Sequence, residues 1–306
     1  MIKKSNNCKN KYPLVSIGLP VYNGENYIRE SIEALINQSF SEFELIICDN
    51  ASTDSTGAIC KEYAAQDRRI HYRRNHQNLG AAPNFNLAYS LARGKYFKWA
   101  AHDDVCSNDF LYKCVAILER DHSAVLAFSK VMIIDKDSRI LGPYDLSLPT
   151  DSLDRCERFL SLLGNHRSYM VFGLIRRDAL DRTKQIMGEY NHGDGVLLER
   201  LALQGRFVEI PEYLFFSRSH SEQSMSLVMN REIYSIWFNT LLKNKVICPW
   251  SRVIFERIRT IHMYRMDLSE RIKCYKYLYW NIKELLPVVI KEHRAAIKEI
   301  IPPIKK

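Results

Sequence analysis

From Val15 to about Glu209 the chain alternates short apolar runs with stretches whose apolar residues recur at helical spacing. Val15-Ser16-Ile17-Gly18-Leu19 reads as a buried strand that Pro20 ends. Asn26 to Asn37 follows with Ile28, Ile32, Leu35 and Ile36 on one helical face. Phe43 to Cys48 is a second strand, and Asp54 to Ala65 a second helix preceded by the cap-type residues Ser52, Thr53 and Asp54. Ile70 to Arg73 predicts a third strand, Asn84 to Leu91 a third helix, and Tyr96 to Ala101 a fourth strand. This alternation predicts an α/β fold, a mostly parallel mixed sheet with helices on both faces. Ligands of such sheets bind beyond the carboxyl ends of the strands. Each polar motif considered below directly follows an apolar run.

After about residue 225 the pattern changes: Tyr, Trp, Lys and Arg dominate, glycine disappears, and the apolar spacing is helical throughout. The expected division is an N-terminal tail (1–12), an α/β domain (13–225) and a helical, basic, aromatic-rich C-terminal region (226–306).

Composition narrows the class only a little. In 306 residues, 46% apolar and 26% charged are ordinary values for a globular protein, so disorder is expected only at the ends. A net charge of +9 points to an anionic partner, without choosing among nucleotide diphosphates, acidic glycans, lipid headgroups and nucleic acid. No two of the eight cysteines are separated by only two residues, which argues against a zinc ribbon or a redox pair. They read as reduced, buried thiols. Met1-Ile2-Lys3-Lys4 has no apolar signal core behind it, and no apolar run approaches the ~20 residues of a membrane span. The expectation is a cytoplasmic protein, with contact at the inner face of the membrane left open.

Three loops carry candidate chemistry. Leu19-Pro20-Val21-Tyr22-Asn23-Gly24-Glu25 lacks the spaced glycines of a dinucleotide fingerprint. It offers a stiffened turn with an aromatic face and an amide, suited to a nucleobase, or else a plain Asn-Gly turn. In Cys48-Asp49-Asn50-Ala51-Ser52-Thr53-Asp54, Asp49 closes a strand where its carboxylate can meet a base or ribose, while Asp54 reads as a helix cap. In Trp99-Ala100-Ala101-His102-Asp103-Asp104, two adjacent carboxylates repel unless something offsets them. A divalent cation does so and also clamps a diphosphate; the other reading is two solvated loop acids.

Taken together and in this order, Pro20-Val21-Tyr22-Asn23, Asp49 to Asp54, Asn78-Leu79-Gly80 and Asp103-Asp104 resemble the family 2 glycosyltransferases of GT-A fold, over roughly Pro13 to Met225. The resemblance implies an inverting transfer of a sugar from a nucleoside-diphosphate donor, UDP or dTDP favoured. It also implies Mn²⁺ or Mg²⁺ as cofactor, a saccharide or lipid-linked saccharide as acceptor, and a role in cell-surface polysaccharide synthesis. Pro20, Tyr22, Asn23, Asp49, Asn78 and Gly80 would then line the nucleotide pocket, with Asp103 near the ribose and Asp104 on the metal. The family often has Asp-x-Asp at this last site, and Ala101 stands where the earlier acid would be. Asp194, ahead of a leucine-rich helix, matches the general base, and an ordinary N-cap is its other reading. Gly173, in Phe172 to Arg177, would leave room for the acceptor sugar, or else merely permit close packing. In Ser217-Arg218-Ser219-His220-Ser221-Glu222-Gln223-Ser224, His220 would join the metal and Arg218 offset the leaving group's charge.

Two rival functions remain at this stage. One is a non-catalytic nucleotide-sugar-binding protein. The other is a nucleotidyltransferase, disfavoured because no glycine- and arginine-rich loop follows the first strand. In the C-terminal region Trp237, Trp250, Tyr264, Tyr275, Tyr277, Tyr279 and Trp280 stand among Lys and Arg. This predicts a helical packing or homodimer unit with aromatic core residues, or an interfacial helix on anionic lipid. No motif for nucleic-acid binding accompanies them.

Overall fold

The computed structural model describes residues 12–164, 168–183, 187–188, 190, 192–221, 236–243, 245 and 248–300. The parallel half of the sheet follows the predicted alternation. It consists of β1 (Val15–Val21), α1 (Ile28–Ile36), β2 (Phe43–Asp49), α2 (Thr56–Gln66), β3 (Ile70–Arg74), α3 (Ala81–Ser90) and β4 (Tyr96–Trp99). There follow β5 (Val105–Cys106), α4 (Phe110–Arg120), β6 (Ala124–Ile134), β7 (Ile140–Tyr144), α5 (Arg155–Ser161), β8 (Leu174–Arg176), α6 (Arg177–Arg182), α7 (Gly193–Ala202) and β9 (Arg206–Arg218). α8 (Pro249–Met263) and α9 (Leu268–Ile300) complete the described chain.

The strands form one mixed sheet in the order β3-β2-β1-β4-β8-β6-β9-β5, with β7 pairing with β6 beyond the stretch that β8 takes. β1 pairs in parallel with β2 and β4, and β2 with β3. Antiparallel β8 then joins β4 to β6, and β9 runs parallel to β6. Parallel pairing is thus concentrated at one end, and the long β6 and β9 belong to the mixed part.

Both faces are covered because β2 is apolar on both sides. Phe43, Leu45 and Ile47 join one core cluster with Ile28 and Ile32 of α1, whereas Ile46 and Cys48 join another with Ala88 and Tyr89 of α3. Side chains alternate across a strand, so a continuous apolar run buries itself on two faces.

α8 and α9 pack on the rest of the chain through α7 and α5. Arg200 of α7 pairs with Glu256 of α8 at 2.5 Å, and Arg257 of α8 with Glu199 of α7 at 2.7 Å, all four side chains being buried. No helix among the described residues is long and apolar enough to cross a membrane. The tail 1–11, Asn191 and residues 222–235 lie outside the described residues.

Candidate active site

The loops after β1 and β2 lock together. Asn23, at the left-handed φ of 50° that Asn tolerates, donates its N–H to Ser52 Oγ at 2.9 Å and accepts the Thr53 N–H at 2.8 Å through Oδ1. Asp54 accepts from Thr56 N, in the first turn of α2, and from Glu25 N, while Glu25 accepts from Ser55 N. The N-cap of α2 is Ser55, without a side-chain cap bond, so Asp54 stands one residue ahead of the expected position and bonds to Thr56 N from there. Tyr22 leaves its ring 43% exposed above this platform.

Asp49 is wholly buried at the end of β2. Its Oδ2 accepts from Tyr72 Oη and Arg74 Nη1, each at 2.7 Å, and Oδ1 accepts the Ser52 N–H at 2.8 Å. Burial alone would raise its pKa, but the hydrogen bonds from Tyr72 and Ser52 and the charge of Arg74 hold it below the usual carboxylate range. Sequence reasoning missed Tyr72 and Arg74. Residues two apart on β3 share a face, but only the folded β2–β3 register sets Asp49 beside Arg74, and no local pattern marks that register.

Asn78 and Gly80 depart from the expected pocket lining. Asn78 Oδ1 accepts from Asn50 Nδ2 and from Gly80 N, both at 2.8 Å, and Gly80 O accepts a second bond from Asn50. Gly80 has φ +91°, and a Cβ there would stand 2.6 Å from Asn239 Cα. The glycine admits the 238–239 backbone, not a base, and Thr240 closes the contact by bonding to Asn78 O.

The acidic pair divides by direction. Asp103 Oδ2 faces His220 Nε2 at 3.0 Å. Asp104 turns inward, where its Oδ1 accepts the Arg218 N–H at 2.9 Å. Burial, then the neighbouring Asp103, push the Asp104 carboxyl up to about 8. For Asp103 burial acts the same way, yet the charge of His102 and the bond to His220 bring it below its ordinary value. The His220 ring is buried against Tyr27, with centroids 4.8 Å apart, and its Nδ1 has no partner among the described residues. His102 lies against the first loop, since a Cβ on Gly24 would come within 2.5 Å of its ring.

Two expectations fail. Arg218 is not free to meet a diphosphate: Nε donates to Asp103 O, Nη1 to Asp135 O and Ser138 Oγ, and Nη2 pairs with Glu30 at 2.5 Å. Its side chain is 1% exposed. Gly173 leaves no room for a sugar, because a Cβ there would stand 2.6 Å from Ala127 O; it lets the chain approach β6. Asp194 occupies the second position of α7, so it is not the N-cap, which is His192. Its Oδ1 accepts the Gly195 N–H at 2.8 Å. Among the described residues no hydrogen bond or ion pair joins Asp194 to the Asp103 cluster.

A family model, Glycosyl transferase family 2, matches residues 16–223. The chain belongs to that family. An uncharacterised glycosyltransferase of Haemophilus influenzae is 31% identical to the transferase over 228 residues, covering 72% of this chain and 69% of its own. The Bacillus subtilis protein TuaG, named for teichuronic acid biosynthesis, is 33% identical over 132 residues, 43% of this chain and 52% of its own. The chain thus spans little more than half of TuaG, and only 35% of a Rickettsia bellii relative that is 33% identical.

Among solved structures, TarS of S. aureus in complex with UDP-GlcNAc superposes with a TM-score of 0.66 at 15% identity, covering 94% of the transferase and 81% of TarS. The mannosyltransferase PcManGT of Pyrobaculum calidifontis, solved with GDP-Man and Mn²⁺, gives 0.54 at 15% identity, with 95% and 82% covered. The fold is GT-A. No group of three or more His, Cys, Asp or Glu able to hold a metal occurs among the transferase's described residues. The two-residue Asp103–His220 pair fits a site where diphosphate oxygens complete the coordination.

Proposed function

We propose that the transferase moves a sugar, with inversion, from a UDP- or dTDP-sugar to a hydroxyl of a saccharide or lipid-linked saccharide during assembly of a surface polysaccharide. The observation that carries this reading is the Asp103–His220 pair beyond β4, with His220 Nδ1 buried and without a partner among the described residues. Asp103 and His220, not Asp104, are the residues that would hold the cation. A carboxylate with an imidazole suits Mn²⁺ better than Mg²⁺, which prefers oxygen ligands. When bound, the cation offsets the charge of the departing diphosphate.

Base recognition falls to Tyr22, which offers a stacking face, and to the Asp49–Arg74 pair. Arg74, its side chain 43% exposed, can donate to a carbonyl of uracil or thymine, and the buried Asp49 holds it in place. Asn23 and Pro20 shape that platform. Asp194 acts as general base. The Gly195 N–H fixes one carboxylate oxygen, which leaves Oδ2 to take the acceptor hydroxyl's proton as that oxygen attacks the anomeric carbon opposite the leaving group. The name of TuaG supports a surface glycan as the class of product.

Calorimetry with UDP, GDP, dTDP and CDP, each with Mn²⁺ and with EDTA, tests the donor site. One nucleotide should bind in a metal-dependent way, and Asp103→Asn should abolish the metal-dependent part. Asp194→Asn should keep donor binding and lose turnover. Equal binding with and without metal would overturn the assignment of Asp103 and His220. A protein that binds the donor but never transfers would return the reading to a nucleotide-sugar-binding module.

A further inference from the structure

α9 (Leu268–Ile300) has one face inside the molecule and one outside. Cys274 and Leu278 are buried, and Tyr275 and Ile282 pack on the same cluster as Phe159 and Leu163. Farther along, Glu292 accepts from Trp250 N, and Arg257 reaches Asn281, so the inner face is pinned along its length. The outer face carries Ile272, Tyr279, Leu286, Ile290 and Ile297, between 43% and 61% exposed. Ile272, Tyr279 and Leu286 are seven residues apart, as are Ile290 and Ile297, and the second series starts four residues beyond Leu286. At 3.6 residues per turn these positions fall in a stripe roughly 40° wide. Trp280, 53% exposed, stands beyond the edge of the stripe, about 100° from its centre.

The charges beside this stripe have one sign. Lys276, Lys283 and Arg294 are all exposed and follow the stripe along one edge, without an acid among them. Two of the helix's acids are held elsewhere, Glu270 by Arg155 and Glu292 by the Trp250 N–H. We propose that this outer face of α9 docks the transferase on an anionic lipid surface, with the apolar stripe in the headgroup boundary and the edge cations on the headgroups. An interfacial helix has this combination of apolar stripe, aromatic ring and basic edge.

A second copy of the chain fits the same face less well. A two-fold interface sets a patch against itself, so Lys276, Lys283 and Arg294 would meet their own images. At the positions four beyond Ile272 and Tyr279 a helical partner would need apolar residues, and these are Lys276 and Lys283. The proposal stands independently of which sugar is moved, because its readout is lipid binding and not turnover.

The test is flotation of the full chain with vesicles of phosphatidylcholine alone and of phosphatidylcholine with phosphatidylglycerol, at low and high salt. Alongside it run Leu286→Asp/Ile290→Asp and Lys276→Glu/Lys283→Glu. The wild type should float only with the anionic vesicles and at low salt. Each double variant should lose on the order of tenfold or more in partitioning, since each cation near such a surface is worth about fivefold. Unchanged circular-dichroism melting and Mn²⁺-dependent nucleotide binding would show that the variants are folded with the donor site intact. Wild-type protein that stays unbound with both lipids overturns the proposal. So does a wild-type dimer in sedimentation that Leu286→Asp/Ile290→Asp makes monomeric without any vesicle binding, which would give the face to a second copy.

Discussion

The guanidinium of Arg218 ties three segments to one point: the Asp103 backbone, the 135–138 turn and Glu30 of α1. Such a group acts on the site by holding the Asp103 loop. Arg218→Met should lower unfolding free energy by about 2 kcal/mol or more, because buried carbonyl groups lose their donors. It should weaken Mn²⁺-dependent donor binding by the same route. Urea melts beside calorimetry check this; a residue acting on the leaving group would lower kcat with stability unchanged. The two aspartates should separate in the same way. Asp104→Asn keeps an oxygen for the Arg218 N–H and should leave donor binding within a few-fold, whereas Asp103→Asn removes it. The motif residues were legible because each stands just past a strand, within a few positions of its neighbours in sequence. Their partners were not. Tyr72, Arg74, Glu30 and Ser138 come from distant segments, and only the folded register sets them beside Asp49 and Arg218.

At the scale of elements, the short strands and the helices between them follow from local apolar spacing, so β1 to β4 and α1 to α3 appear close to where the pattern predicts them. The expectation of a mostly parallel sheet holds for that end. β6 and β9 pair with each other across a long separation, and nothing local in either marks the pairing or the bulges in its register. One buried carboxylate gives this framework a pH dependence. Glu44 on β2 accepts from Ser16 Oγ at 2.6 Å and from Arg93 at 2.5 Å, with the Arg93 guanidinium half exposed. Burial opposes its charge, yet the bonds from Arg93 and Ser16 lower its pKa on balance. A carboxylate lowered on folding stabilises the protein above its unfolded value, ~4.3 for Glu, and loses that contribution as pH falls through the folded value. Wild-type protein should therefore lose about 1 kcal/mol more than Glu44→Gln on acidification across this window, read by urea melts at several pH values.

For the whole molecule, the question is whether the C-terminal helices form a separate unit or complete the domain that holds Asp194. Glu199 and Arg200 lie on α7, five and six residues beyond Asp194, and both are buried against Arg257 and Glu256 of α8. The tyrosines and tryptophans of this region were readable as core or as surface, and the structure divides them: Tyr264 and Tyr275 pack inward, while Tyr277, Tyr279 and Trp280 face out. What no local pattern revealed is that two charges of the leucine-rich helix need partners from α8. A charge left buried without its partner is destabilising by roughly 3–5 kcal/mol, whereas replacing both partners with apolar residues is often neutral. Arg257→Met should therefore be severely destabilising, and Glu199→Leu/Arg257→Leu should recover much of the loss. Removing everything after residue 225 strips the partners from Glu199 and Arg200 together and uncovers the Phe159–Leu203 cluster that α8 and α9 close. The truncated chain should then fail to give soluble, cooperatively melting protein, although it keeps every motif of the nucleotide side. Soluble yield, thermal melting and dye binding to exposed apolar surface would read this directly. A truncated chain that melts cooperatively and binds nucleotide would mean that the catalytic domain closes without α8 and α9.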